Sequence, residues 1–180
     1  MKVLKISNLF SDKGLENLNK LINNANIDLD KNLGRSKASI NLPPAEEIAI
    51  KINEIGIKNN LVFSSTTYVE YNNIFGQPNL PPHYDGDNSD LIVNFQLSSN
   101  TSWDLGLDLE TYSLEDNSAL IFNPNKYIHW RPIKKFESGE YIKMIFFRFC
   151  KLENMSDYSN LRYSLDDPIF DEVHRIRGGI

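Results

Sequence analysis

Three residues near the middle of the chain have the types and spacing to hold a metal ion. His83 and Asp85 form an H-x-D triplet within PPHYDGD, and His129 follows 46 residues after His83, in YIHWRP. In an extended segment, residues i and i+2 project to the same side, so the imidazole and the carboxylate can converge on one point. Two neutral imidazoles and one carboxylate leave half of an octahedral sphere open for reactants, which is the ligand set used with non-haem Fe(II). An H-x-D triplet alone is common in loops, and a lone strand histidine such as His129 is more often a satisfied core residue than a ligand. The combination carries more, because the chain has three histidines in all. The third, His174 in VHRIRGGI, has no strand context and reads as solvated or packed within a tail.

Lys143 is a second anomaly. It interrupts the apolar run YIKMIFFRF, sharing a face with Tyr141, Ile145 and Phe147. An ammonium in a central strand needs a partner or a route to water. Three answers stay open: a protein carboxylate, snorkelling to an edge, or the far carboxylate of a bound dicarboxylic acid.

The elements that must position these residues change character along the chain. In SDKGLENLNKLINNA, Leu15, Leu18, Leu21, Ile22 and Ala25 fall at helical spacing behind Ser11 as N-cap. In PPAEEIAIKINEIG, Pro44 opens a helix, acids fill its first turn, Ile48, Ile52 and Ile55 share a face, and Gly56 ends it. A polar loop through Arg35 and Ser36 joins the two. From residue 61 onward, short runs rich in Val, Ile, Phe, Tyr and Thr alternate with turn residues: LVFSSTTYVEY, LIVNFQLS, LGLDLETYSL, SALIFNP, YIHWRP and YIKMIFFRF. Two helices followed by a series of antiparallel strands predict a mainly β fold of jelly-roll type, with the N-terminal helices packed on the major sheet. The expected organisation is a single domain over 1–180, with helical support in 1–60, a jelly-roll core in 61–150 and a tail in 151–180 that forms a short helix or a cover.

Composition excludes several classes. At 180 residues, 41% hydrophobic and 24% charged, the chain is that of a globular protein with a real core. No apolar run is long enough for a bilayer span, and the start shows no secretory pattern, so a cytoplasmic protein without membrane contact is expected. The net charge of −5 and the lack of a basic, aromatic-laced patch argue against nucleic acid as a partner. The single cysteine, Cys150, lies in an apolar strand and reads as a buried, inert thiol. The acidic run DGDNSD, with Asp87 and Asp90, lacks the ligand positions of a calcium loop and reads as a solvated turn.

Four ordered segments between about residues 65 and 149 resemble the iron(II)- and 2-oxoglutarate-dependent oxygenases, in particular their prolyl-hydroxylase-like branch. They are EYNNIFGQPNLPPHYDGD, with Tyr71 ahead of the H-x-D pair; SWDLGLDLE, similar to a W-x-G-G-x-L segment; SLEDNSALIFNPNKYIHWRPI, with the distal histidine; and ESGEYIKMIFFRF, similar to a G-x-R-x-S strand. The resemblance implies a double-stranded β-helix, cupin-like in shape, with His83, Asp85 and His129 as ligands to Fe(II). It also implies 2-oxoglutarate as co-substrate, dioxygen as oxidant, and hydroxylation of a small molecule, an amino acid or a peptidyl residue. The chain departs from the pattern at one point. The basic residue usual about ten positions after the distal histidine is here Gly139, and the nearest strand alignment offers Tyr141. Lys143 is the expected partner of the co-substrate's distal carboxylate, with Arg131 as competitor. Tyr71 or Tyr68 would add a hydroxyl, and Asn94 or Gln96 would face the iron side. Trp103 beside Gly106 lets strands approach closely, and Trp130 packs under or beside the metal. Two other readings remain: a cupin-type metal enzyme that does not use 2-oxoglutarate, and a non-catalytic jelly-roll binding module.

Overall fold

The structure, a computed structural model, describes residues 2–43, 46–74, 76–85, 89–152 and 168–178. Pro44, Asp87 and most of the tail lie outside these residues. The first sixty residues are not purely helical. Strand β1 (Leu4–Ser7) precedes helix α1 (Asp12–Asn23), and β2 (Asp28–Asp30) and β3 (Arg35–Ser39) occupy the stretch expected to be a polar loop. They are short, β1 and β2 are largely exposed, and the buried positions of β3 are only Ser36 and Ala38, so they lack the run of large apolar residues that marks a strand in sequence. Helix α1 forms where its leucines repeat, and the Ser11 side chain accepts a hydrogen bond from the Gly14 amide. Helix α2 (Glu47–Lys58) buries Ile48, Ala49, Ile52 and Gly56. Gly56 lies inside the helix rather than at its end. A Cβ there would stand 2.9 Å from the Leu61 carbonyl oxygen and 3.1 Å from the Phe149 ring, so hydrogen at this position lets the helix sit close on the sheet.

The remaining strands fall in the six segments marked by the sequence, one of which, LGLDLETYSL, turns back on itself as two strands: β4 (Val62–Asn72), β5 (Leu91–Ser99), β6 (Leu105–Leu107), β7 (Glu110–Tyr112), β8 (Ser118–Phe122), β9 (His129–Trp130) and β10 (Tyr141–Cys150). Among the described residues they make a seven-stranded sheet in the order β1-β8-β5-β10-β4-β3-β2 and a three-stranded sheet in the order β7-β6-β9. Every strand ladder among the described residues is antiparallel.

Strand parity sorts the interior. Ile145, Phe147 and Phe149 of β10, with Leu91, Val93 and Phe95 of β5, join Leu18, Ile48 and Ile52 of the helices in one core. Ile142, Met144 and Phe146, with Ile92, Leu120 and Phe122, face the smaller sheet in a second core. The N-terminal helices therefore cover the outer face of the larger sheet, and the space between the sheets is left for the site. Helix α3 (Pro168–Ile176) closes the far side of the smaller sheet through Phe170 and Val173 against Ile128 and Trp130. No helix among the described residues is long and apolar enough to cross a membrane, which leaves strand-built spans untouched.

Candidate metal centre and adjoining pocket

His83 and His129 are brought together by the backbone. Residue 83 forms an antiparallel bridge with the first residue of β9: the His83 amide donates to the His129 carbonyl at 3.2 Å, and the His129 amide donates back to the His83 carbonyl at 3.0 Å. Two residues on, the Asp85 amide donates to the Pro124 carbonyl at 3.0 Å, which turns the carboxylate toward the two rings. His129 Nε2 lies 3.4 Å and His83 Nε2 3.8 Å from Asp85 Oδ1, with all three side chains buried.

The other ring nitrogens face backbone carbonyls. His83 Nδ1 is 2.7 Å from the Pro81 carbonyl, and His129 Nδ1 is 3.4 Å from the Tyr127 carbonyl. A carbonyl only accepts, so a proton on Nδ1 is satisfied there, and Nε2 is the ring nitrogen that each histidine turns toward the shared centre. Burial and the neighbouring His129 push the His83 imidazole down to about 3, against the pull of Asp85. Burial also opposes the charge on Asp85, but His129, Arg148 and His83 outweigh it and hold the carboxyl well below its usual range. The two Nε2 atoms and the Asp85 carboxylate converge in one buried space, their ligand atoms within 4.8 Å of one another, and Asp85 Oδ2 has no hydrogen-bond partner. A divalent cation resolves that arrangement, and the donor set fits one.

A cavity of about 500 Å³, its open mouth included, adjoins the triad. Leu33, Leu80, Ile92 and Phe146 form its apolar wall, and Arg35, Tyr71, Asn94 and Arg148 supply its polar groups.

No family model matches the sequence, and no curated protein matches it. Solved structures do. An oxidoreductase of the 2OG-Fe(II) oxygenase family from Burkholderia pseudomallei superposes with a TM-score of 0.63 at 8% identity, over 83% of this chain and 84% of that one. A prolyl-4-hydroxylase from Pseudomonas putida gives 0.59 at 12% identity, over 82% and 92%. HygX from Streptomyces hygroscopicus, solved with nickel and 2-oxoglutarate bound, gives 0.57 at 8%, over 83% of each chain. The chain has the fold of the iron(II)- and 2-oxoglutarate-dependent oxygenases.

Within that oxygenase fold, the structure separates the remaining candidates. Tyr71 and Asn94 line the cavity, and the Asn94 side-chain oxygen is buried without a partner. Lys143 and Tyr68 are on the opposite face of the sheet. They line a cleft with Asn19, Ile22, Ser36 and Glu70, beneath the end of α1. Lys143 stands directly across the ladder from Glu70, and the Tyr68 hydroxyl donates to Glu70 Oε2 at 2.8 Å. The parity of Lys143 with Ile145 and Phe147 holds, but that face looks at the helices rather than the cavity.

Arg131 is fully buried and does not line the cavity. Its guanidinium donates to the Trp103 carbonyl and to Met144 Sδ, and it lies 5.0 Å from the Trp103 ring centroid. Burial lowers its pKa to about 10. Gln96 is turned away, donating to the Leu114 carbonyl at 2.9 Å and to Ser99 Oγ. Trp130 of β9 packs under α3, and its ring occupies the place that a Cβ on Gly106 would need.

Sequence reasoning missed Arg35 and Arg148. Arg148 Nε lies 3.8 Å from Asp85 Oδ2, and its Nη1 donates to Thr67 Oγ1 at 3.1 Å. It shares parity with Ile142, Met144 and Phe146, which is the signal that could have found it. Arg35 carried no such signal, because its strand was not legible.

Proposed function

We propose that the protein is an iron(II)- and 2-oxoglutarate-dependent oxygenase that hydroxylates a small molecule, an amino acid or a peptidyl residue, with its helices, strands and tail forming one domain. The observation that carries this reading is the convergence of the two Nε2 atoms and the Asp85 carboxylate, whose Oδ2 has no hydrogen-bond partner, in a buried centre beside a cation-lined cavity. The fold supports it, and HygX, of similar fold, was solved with nickel and 2-oxoglutarate bound.

Bound iron(II), with 2-oxoglutarate and dioxygen, would supply oxidative decarboxylation of the co-substrate to succinate coupled to oxidation of the substrate. The chain's own residues do the rest. His83, Asp85 and His129 would hold the ion on one side and leave the cavity side open. The carbonyls of Pro81 and Tyr127 keep both imidazoles in the ligating tautomer. Arg148 orients the second oxygen of Asp85, and the Phe122 ring, its centroid 5.6 Å from that of His129, limits the tilt of that imidazole. Leu33, Leu80, Ile92 and Phe146 exclude water, which strengthens every charge interaction inside.

The test is anaerobic addition of Fe(II) and 2-oxoglutarate, followed by absorption for a metal-to-ligand charge-transfer band, and then succinate release on admitting air. The band is expected in the unaltered protein and absent in His83→Ala and Asp85→Ala. An unaltered protein that binds Fe(II) but shows neither band nor succinate overturns the reading.

A further inference from the structure

We propose that the distal carboxylate of the co-substrate is held by Arg35 of β3 together with the Tyr71 hydroxyl, rather than by any residue of β10; this rests on the oxygenase reading above.

The cavity is rich in cations whose counter-charges are already placed. On β10 the residues facing the space between the sheets are Ile142, Met144, Phe146 and Arg148. The first three are apolar, and Arg148 is turned toward Asp85 and Thr67. Lys143 faces the helices, and Arg131 is sealed behind Tyr71 by Trp103 and Met144.

Arg35 is differently set. It lines the cavity, and its strand puts it directly across from Tyr71, which in turn pairs with Ile142 of β10. Asp30 holds its Nε at 3.1 Å, which fixes the plane of the guanidinium, and Nη1 donates to the Tyr71 hydroxyl at 3.2 Å. With Nε taken by Asp30, the remaining Nη protons and the Tyr71 hydroxyl proton form one donor surface. A planar fork beside a hydroxyl matches the two oxygens of a carboxylate. The charge is secure there: burial works against it, but Tyr71 and Asp30 more than offset burial and raise the pKa above the ordinary arginine value. With the triad occupied by a divalent ion, Asp85 is committed to the metal, so the cavity keeps a positive balance that a dicarboxylate neutralises.

The experiment compares two 2-oxo acids on the Fe(II)-loaded protein under anaerobic conditions: 2-oxoglutarate, and 2-oxopentanoate, which has a methyl group where the distal carboxylate would be. Dissociation constants are read from the charge-transfer band. In the unaltered protein 2-oxoglutarate binds more tightly. Arg35→Gln is expected to weaken 2-oxoglutarate on the order of 10- to 100-fold while leaving 2-oxopentanoate essentially unchanged, and Arg35→Lys is expected to recover part of the loss. The 2-oxopentanoate arm shows that the variant still builds its metal site. The proposal is overturned if Arg35→Gln keeps the preference for the dicarboxylate, if it loses both acids equally, or if Arg148→Gln alone erases the preference. An unaltered protein with no band for either acid removes the oxygenase reading itself, and this proposal with it.

Discussion

His83 and His129 are cross-strand partners, each donating its amide to the carbonyl of the other, and their rings lie 4.0 Å apart between centroids. The pairing of the two imidazoles is therefore a property of the backbone ladder rather than of side-chain rotamers. Disturbing the register of β9 should damage the metal site as surely as removing a ligand.

Gly106 tests that connection. It sits opposite Trp130 in the ladder, and a Cβ built on it would be 2.1 Å from the Trp130 ring. Gly106→Ala must displace the indole and, with it, the neighbouring His129. The expected cost is about 1–3 kcal/mol in urea unfolding, together with weaker binding of Mn(II) measured by calorimetry. Unchanged Mn(II) affinity would show that β9 is not held through this contact.

Acid sensitivity follows from His83. Its imidazole falls from an ordinary value of 6.5 in the unfolded chain to about 3 in the metal-free fold. Between those values the unfolded chain binds a proton that the folded chain does not, so stability falls as pH drops from about 6.5 toward 3, with a slope approaching 1.4 kcal/mol per pH unit. Asp85, depressed in the fold, adds a loss of the same sign once pH passes below its unfolded value. Urea titrations of metal-free protein between pH 7 and 4 measure the slope, and His83→Gln should flatten it over the upper part of that window.

Lys143 should be silent at the site. Because it lies on the helix-facing side, opposite Glu70, Lys143→Met is expected to leave the affinity for 2-oxoglutarate unchanged in the anaerobic absorption titration. A large loss would place its ammonium in the cavity after all.

Arg131 should matter for stability. Arg131→Ala removes a fully buried side chain, opens a space between Trp103, Met144 and Tyr71, and leaves the Trp103 carbonyl without its donor. A destabilisation of roughly 2–5 kcal/mol is expected from the combined packing and hydrogen-bond loss. Chemical denaturation checks it. Arg131→Met, which refills the volume, should recover part of the loss.

The sequence made the His-Asp-His triad legible because its spacing is local: His83 and Asp85 are two residues apart, and His129 lies in a segment with clear strand composition. The helices of the first sixty residues and the strands after residue 61 were readable for the same reason, each having an apolar repeat that matches its geometry. The short strands β1, β2 and β3 were not, since they add to sheet edges with few buried residues and their identity is decided by the ladder they join. That loss hid Arg35. For Lys143, parity identified the correct set of neighbours without saying which of two apolar faces that set belonged to. Both faces of β10 are buried, so hydrophobicity alone gives no direction.

Helix α3 gives the arrangement a keystone. Phe170 meets the Tyr84 ring at 5.7 Å, between the two ligands of the H-x-D triplet, and Val173 packs in the same cluster as Trp130, the residue after His129. Arg177, just beyond the helix, donates to the Arg131 carbonyl at 2.8 Å. The short bridge that aligns the imidazoles is thus clamped from behind by α3, and a chain synthesised from its N-terminus cannot complete the His83, Asp85 and His129 geometry until that helix has been made and seated.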